Sequence, residues 1–88
     1  MTRAYDREHI KDTLKDFICR QLMRRPDYPL ADGEPLISGG LIDSMSLAEV
    51  GVFIEREFGL FIPDSNLTAD HMDTLDRMVD LILEELPE

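Results

Sequence analysis

Cysteine occurs once, as Cys19, tryptophan is absent, and aromatic residues make up 7% of the chain. A single cysteine excludes an internal disulfide, which suits a reducing compartment. With only two scattered histidines, His9 and His71, it leaves no zinc-ligand spacing. Cys19 reads as a small helix residue with no chemical task. No apolar run approaches bilayer-spanning length, and Met1–Asp6 has no signal-peptide apolar core. No acidic spacing matches a calcium loop. No Gly-x-Ser-x-Gly elbow and no Gly-Lys-Ser/Thr phosphate loop is present. A soluble cytoplasmic protein is expected, with no metal and no membrane contact.

Positive charge is scarce in the second half. Up to Ser38 there are seven acidic and seven basic residues; from Gly39 onward, twelve acids face only Arg56 and Arg77. The whole formal charge of -10 belongs to the later stretch. Such a surface repels nucleic acid phosphates and anionic lipid, and it steers basic partners. The plainer reading is an acidic face that keeps the protein soluble. At 88 residues the chain predicts one domain, 1–88, with a small core and little room for a preorganised catalytic pocket.

Asp6 predicts the N-cap of a first helix, with Tyr5 and Ile10 placed for a hydrophobic staple. Ile10, Leu14, Phe17, Ile18 and Leu22 recur at helical spacing and form its core stripe. Arg24 and Arg25 are expected in the last turn, where cations suit the helix dipole, and Pro26 stops it. A long connection to Asp43 follows, rich in proline and glycine, with Leu30, Leu36, Ile37 and Leu41 as its anchors. A second helix is predicted from about Ser44 to Phe58, with Gly59 past its end. Leu47, Val50, Gly51, Ile54 and Phe58 share its core face. Met45, Glu49, Val52 and Arg56 fall within about 60° of one another on the opposite side. Apolar residues rimmed by charge suit a docking surface, unless another element covers them. Gly51, costing about 1 kcal/mol in a helix, allows either close approach of another element or room for cargo. Leu60–Ile62 reads as a core-packed connector. Pro63–Met72 holds one short helix capped by Asp64 or Thr68. Asp73 is the expected N-cap of a last helix with Leu75, Met78, Val79, Ile82, Leu83 and Leu86 at helical spacing, ended by Pro87. The sum is an all-α four-helix bundle, three long helices and one short, with a long loop between the first two.

Gly39-Gly40-Leu41-Ile42-Asp43-Ser44-Met45 presents a serine where a loop meets a helix start. Unpaired N–H groups and partial positive charge gather there, which suits a phosphate ester. Asp-Ser before a helical run is also an ordinary cap. Ser46-Leu47-Ala48-Glu49 matches a capping box, which would start the helix at Ser46.

At these residues the chain resembles the phosphopantetheine carrier proteins for acyl, peptidyl and aminoacyl groups. The resemblance rests on Asp43-Ser44-Met45 after Gly40-Leu41-Ile42, then Glu55-Arg56-Glu57-Phe58-Gly59 and Ile62-Pro63-Asp64. Among the branches it is most similar to stand-alone D-alanyl or aminoacyl carriers, through Leu41–Met45, Phe58-Gly59 and Asp73-Thr74. Ser46 and Arg56 stand where fatty-acid carriers usually have acids. The resemblance implies an acyl-carrier-like bundle and no enzyme activity. It implies a 4'-phosphopantetheine arm on Ser44, moved from coenzyme A by a phosphopantetheinyl transferase. A ligase or acyltransferase then loads the arm's thiol, and downstream synthases take the cargo. Asp43, Met45, Glu49, Val52 and Glu55 would meet those partners, the acids pairing with basic residues and Met45 and Val52 giving apolar contact. A monomer is expected. The competing readings are an acidic interaction domain or degenerate carrier without the arm, a small hydrolase with Ser44 as nucleophile, and metal binding by the acids.

Overall fold

The computed structural model describes residues 6–86. Helix α1, Arg7–Phe17, starts at Asp6, whose carboxylate accepts the His9 backbone N–H at 2.8 Å. That bond satisfies one donor which a helix start leaves free. The staple partner Tyr5 lies outside the described residues. Ile10, Leu14 and Ile18 are fully buried, while Phe17 and Leu22 are half-buried at the edge of the stripe.

The helix continues as a widened π turn over Ile18–Leu22. The Met23 N–H donates to the Ile18 carbonyl, five residues back, at 2.8 Å. Arg24 then adopts a left-handed φ of 57°, and the Arg25 N–H closes onto the Cys19 carbonyl at 2.7 Å. Arg24 and Arg25 therefore lie beyond the helix, not in its last turn as expected. Pro26 has no N–H and disfavours helical backbone at Arg25, so the chain turns out early. Cys19 belongs to the core at 2% exposure.

The connection from Pro26 to Met45 is tied down along its length. Leu30, Leu36 and Ile42 are buried; Ile37 and Leu41, two of the four expected anchors, pack against the core without entering it fully. The Tyr28 hydroxyl donates to the Glu34 carboxylate, and Lys11 of α1 reaches Asp32 at 3.1 Å. The Asp76 N–H donates to the Asp32 carbonyl at 3.1 Å.

Helix α2, Ser46–Phe58, buries Leu47, Val50, Gly51, Ile54 and Phe58, as its spacing predicts, and ends in left-handed Gly59. In the connector after it Ile62 is buried but Phe61 is 66% exposed. Successive residues of an extended segment point to opposite sides, so all three could not enter the core together. A tight turn at Asp64–Asn66 leads to the short helix α3, Ala69–Met72. Thr68 occupies the cap position, and its hydroxyl meets His71 Nδ1 at 3.1 Å. Leu67 lies over Gly51; a methyl group there would come within 2.9 Å of the leucine side chain. The missing side chain in α2 thus serves close approach of Leu67.

Helix α4, Leu75–Glu85, is capped by Thr74, whose hydroxyl accepts the Arg77 N–H at 3.1 Å. The expected cap, Asp73, has another task. Leu75, Met78, Val79, Leu81 and Ile82 are buried, whereas Leu83 and Leu86 pack at the margin. Pro87 lies outside the described residues. Arg7 ties α1 to α4 through Asp80 at 2.7 Å and Asp76 at 3.1 Å. The four helices share one core with the buried loop residues. No strand occurs among the described residues, and the architecture is all-α, three longer helices with one short.

Candidate functional site

The candidate site is the turn that delivers the chain from the long loop into α2. Its shape begins at the glycine pair. A side chain on Gly39 would collide with the Pro35 carbonyl oxygen at 2.3 Å. Gly40 has φ 79°, a left-handed conformation that other residues adopt at a cost. The Leu41 and Ile42 N–H groups both donate to the Leu36 carbonyl, at 2.9 and 3.1 Å. Ile42 enters the core, and the next three residues, Asp43, Ser44 and Met45, are left on the surface.

The loop is held in place by Asp73, at the approach to α4. Its carboxylate accepts the Ile37 N–H at 2.7 Å, the Ser38 N–H at 2.9 Å and the Ser38 hydroxyl at 2.6 Å. The Leu36 N–H donates to its carbonyl at 2.6 Å. The Ser38 side chain, the Ser38 backbone and then Ile37 hold the Asp73 carboxyl below the usual carboxylate range. Nothing in local pattern singles out this residue from a cap, since the groups it binds are 35 and 36 positions away.

Regular helix begins at Ser46, two residues after the expected start at Ser44. The first turn is tight: Ser46, Leu47 and Ala48 donate to the carbonyls three residues back, at 3.0, 3.2 and 3.3 Å. Asp43 is the effective cap. Its carboxylate accepts the Ser46 N–H at 3.1 Å and the Ser46 hydroxyl at 3.3 Å. Regular helix thus begins at the residue the capping-box alternative named, but the capping carboxylate is Asp43, and Ser46 donates to it instead of capping Glu49.

These bonds separate the serines. Ser38 is spent on Asp73 and Ser46 on Asp43. The Ser44 hydroxyl has no hydrogen-bond partner among the described residues, and the residue is exposed. The N–H groups of Ser44 and Met45 are not used by the turn. Ser44 borders an open depression formed with Leu22, Ile37, Gly40, Leu41, Ile42, Asp43 and Ser46. That lining holds one carboxylate, Asp43, which accepts from the Ser46 N–H and hydroxyl. What the arrangement offers is an accessible primary alcohol at the positive end of a helix.

The other expected site residues fall as follows. Met45 is 82% exposed and Val52 54%, so no described element covers them. Asp43, Glu49 and Glu55 are exposed. Met45, Glu49 and Val52 share one stripe of α2 running away from Ser44. Glu55 stands on its flank, roughly 160° round the axis from Phe53. Residue-by-residue reading of α2 missed Phe53, which stacks on Phe17 of α1 with ring centroids 4.1 Å apart. Its signal was an aromatic side chain outside the core stripe. No protein-family model matches the chain, and no curated protein matches it.

Proposed function

We propose that this protein is a stand-alone carrier, bearing acyl or aminoacyl groups as thioesters on a 4'-phosphopantetheine arm attached to Ser44. The observation that carries the reading is the state of Ser44 among its neighbours: exposed and unbonded, while Ser38 and Ser46 have their hydroxyls engaged. The residues present fit the group. A phosphate ester on Ser44 Oγ would stand at the positive end of α2, beside N–H groups the turn does not use. Asp43 is the unfavourable neighbour, and its charge is turned toward Ser46.

The arm, when bound, supplies a thiol on which carboxylic or amino acids are carried. This chain's own residues position and present. Asp43 fixes the helix start, and Gly39 and Gly40 shape the turn that leaves Ser44 outside. A phosphopantetheinyl transferase brings coenzyme A and the base that takes the Oγ proton. A ligase or acyltransferase and the downstream synthases would approach over Met45, Glu49 and Val52, with Asp43 and Glu55 as rim charges that govern encounter rate. Tethering then raises the concentration of cargo at the next enzyme.

The test is incubation with coenzyme A and a broad-specificity phosphopantetheinyl transferase, followed by intact mass. One arm should be added to the native chain and none to Ser44→Ala. Addition that survives the substitution would overturn the assignment. No addition to the native chain would leave an acidic interaction domain without a prosthetic group.

A further inference from the structure

One end of the bundle reverses the sign of the rest. Asp12 shares a depression with Glu57, Phe17 stacks on Phe53, and Leu22 borders Ser44 and Ser46, so α1 and its π turn run antiparallel to α2. The end of the first therefore stands beside the start of the second. There Arg20, Gln21, Arg24 and Pro26 line an open depression that contains no acid. It adjoins the depression beside Ser44, since Gln21 lines one and Leu22 the other. Asp16 is engaged by Arg20 Nε at 2.6 Å, and Asp27 follows Pro26. Arg20, Arg24 and the exposed Arg25 still outnumber these two acids, on a chain of formal charge -10.

Arg24 is held there at a cost. Its φ of 57° puts it in the left-handed region, which among the described residues it shares only with Gly40 and Gly59. Glycine is usual just past a helix end, because a Cβ crowds that backbone. The turn is closed by backbone bonds alone, from the Met23 N–H to Ile18 and from the Arg25 N–H to Cys19, which glycine at position 24 would leave intact. The Arg24 guanidinium makes no ion pair or hydrogen bond among the described residues, and that of Arg20 uses only Nε. Strain carried by an unengaged charge at a surface depression points to a ligand rather than to the fold.

We propose that this depression takes the nucleotide phosphates of coenzyme A while the arm is delivered to Ser44. The proposal rests on the carrier reading for the identity of the ligand, and on the arginines alone for anion binding. In the transfer a bond forms from Ser44 Oγ to the phosphorus next to pantetheine, and the diphosphate bridge breaks. Its electron pair leaves on adenosine 3',5'-bisphosphate, and the Oγ proton passes to the transferase's base. The donor thus carries several negative charges toward a serine that adjoins Asp43 on an acidic protein, which repels them. The arginine depression is the neighbouring surface where that repulsion turns to attraction. Guanidinium groups present planar N–H forks that match phosphate oxygens two at a time. A nucleotide seated there directs its pantetheine past Leu22 to Ser44.

The test is a nuclear magnetic resonance titration of the unmodified, isotope-labelled protein at low ionic strength. Adenosine 3',5'-bisphosphate is compared with inorganic phosphate and with a glutamate-rich peptide. The bisphosphate should saturably shift the amides of Gln21, Arg24 and Arg25, and bind about tenfold tighter than either of the others. Arg24→Gly should weaken it at least about fivefold and raise the melting temperature by a few degrees, because glycine relieves the left-handed backbone. No binding, shifts confined to another surface, or indifference to Arg24→Gly would each overturn the proposal. So would a lower melting temperature for that variant, which would make Arg24 part of the turn. Equal or tighter binding of inorganic phosphate would leave an unspecific anion site, and of the peptide a seat for an acidic protein; either sinks the nucleotide assignment. Arm attachment at Ser44 is read separately by mass. Modification without nucleotide binding sinks the arginine site alone; nucleotide binding without modification sinks the carrier reading alone.

Discussion

At the scale of single residues, side chains divide into those spent on the fold and those left exposed. Cys19 is 2% exposed, and burial pushes its thiol up, away from the reactive thiolate form. A folded chain without the arm should therefore show no thiol reactive toward a disulfide reagent, and denaturation should release one. With the arm attached, one fast thiol should appear in the folded state, so Cys19 does not compete for cargo. Rapid labelling of the arm-free folded protein would contradict the burial. Met45 is the opposite case, 82% exposed beside Ser44. Met45→Glu should slow arm transfer severalfold while changing stability by no more than about 0.5 kcal/mol, the range for surface substitutions. A large fall in melting temperature would mean that Met45 supports the fold. The face that carries Met45 and Val52 was legible in the sequence, because both lie opposite the stripe Leu47, Val50, Ile54 and Phe58; that no described element covers it was not. The start of the helix, at Ser44 or at Ser46, was not legible either, because it depends on where the Asp43 carboxylate turns.

At the scale of elements, periodicity placed the helices well and their ends less well. The apolar spacing predicts which faces of α1, α2 and α4 are buried, since a 3.6-residue repeat is a property of the chain itself. Asp73 and Thr74 are neighbours with similar capping propensity, and local pattern cannot rank them. The decision is made by Ile37 and Ser38, which claim the aspartate across the fold. The Phe17–Phe53 stack and the seat of Leu67 on Gly51 were hidden for the same reason: both are pairings between elements. Asp73→Ala should consequently act on the long loop more than on α4. Losing three hydrogen bonds to a half-exposed carboxylate should cost about 1–2 kcal/mol. That corresponds to a melting temperature lower by roughly 5–15 °C in a domain this small. Hydrogen exchange should quicken first at Ile37 and Ser38. The folded carboxyl titrates below its unfolded value. Its stabilisation is therefore complete above the unfolded value of about 3.9 and disappears as pH falls through the folded one. Below about pH 4 the native chain should lose stability more steeply than Asp73→Asn. Parallel curves for the two would show that the carboxylate does not hold the loop.

At the scale of the whole molecule, the acidic excess of the later sequence divides into two groups with different duties. Asp76 and Asp80 of α4 meet Arg7, and Asp73 is occupied by Ser38. Glu49 and Glu55 of α2 have no ion-pair partner among the described residues. Part of the uncompensated field therefore rises from the helix that begins beside Ser44, while Asp64, Asp70, Glu84 and Glu85 are likewise without an ion-pair partner among the described residues. Long-range attraction of this kind raises encounter rates and is screened by salt, whereas exposed ion pairs contribute about 0–1 kcal/mol to stability. Two double variants separate the roles. Glu49→Gln with Glu55→Gln should lower kcat/KM for arm transfer by about tenfold at low ionic strength and flatten its dependence on salt, with the melting temperature nearly unchanged. Asp76→Asn with Asp80→Asn removes the same formal charge, but should cost a few degrees of melting temperature, because it frees Arg7 from α4. Its effect on transfer should be smaller, since Arg7 offsets one of those two charges and both stand on α4 rather than on the helix beside Ser44. If the two variants slowed transfer equally, only net charge would matter. Steering would then be a property of the whole acidic surface and not of α2.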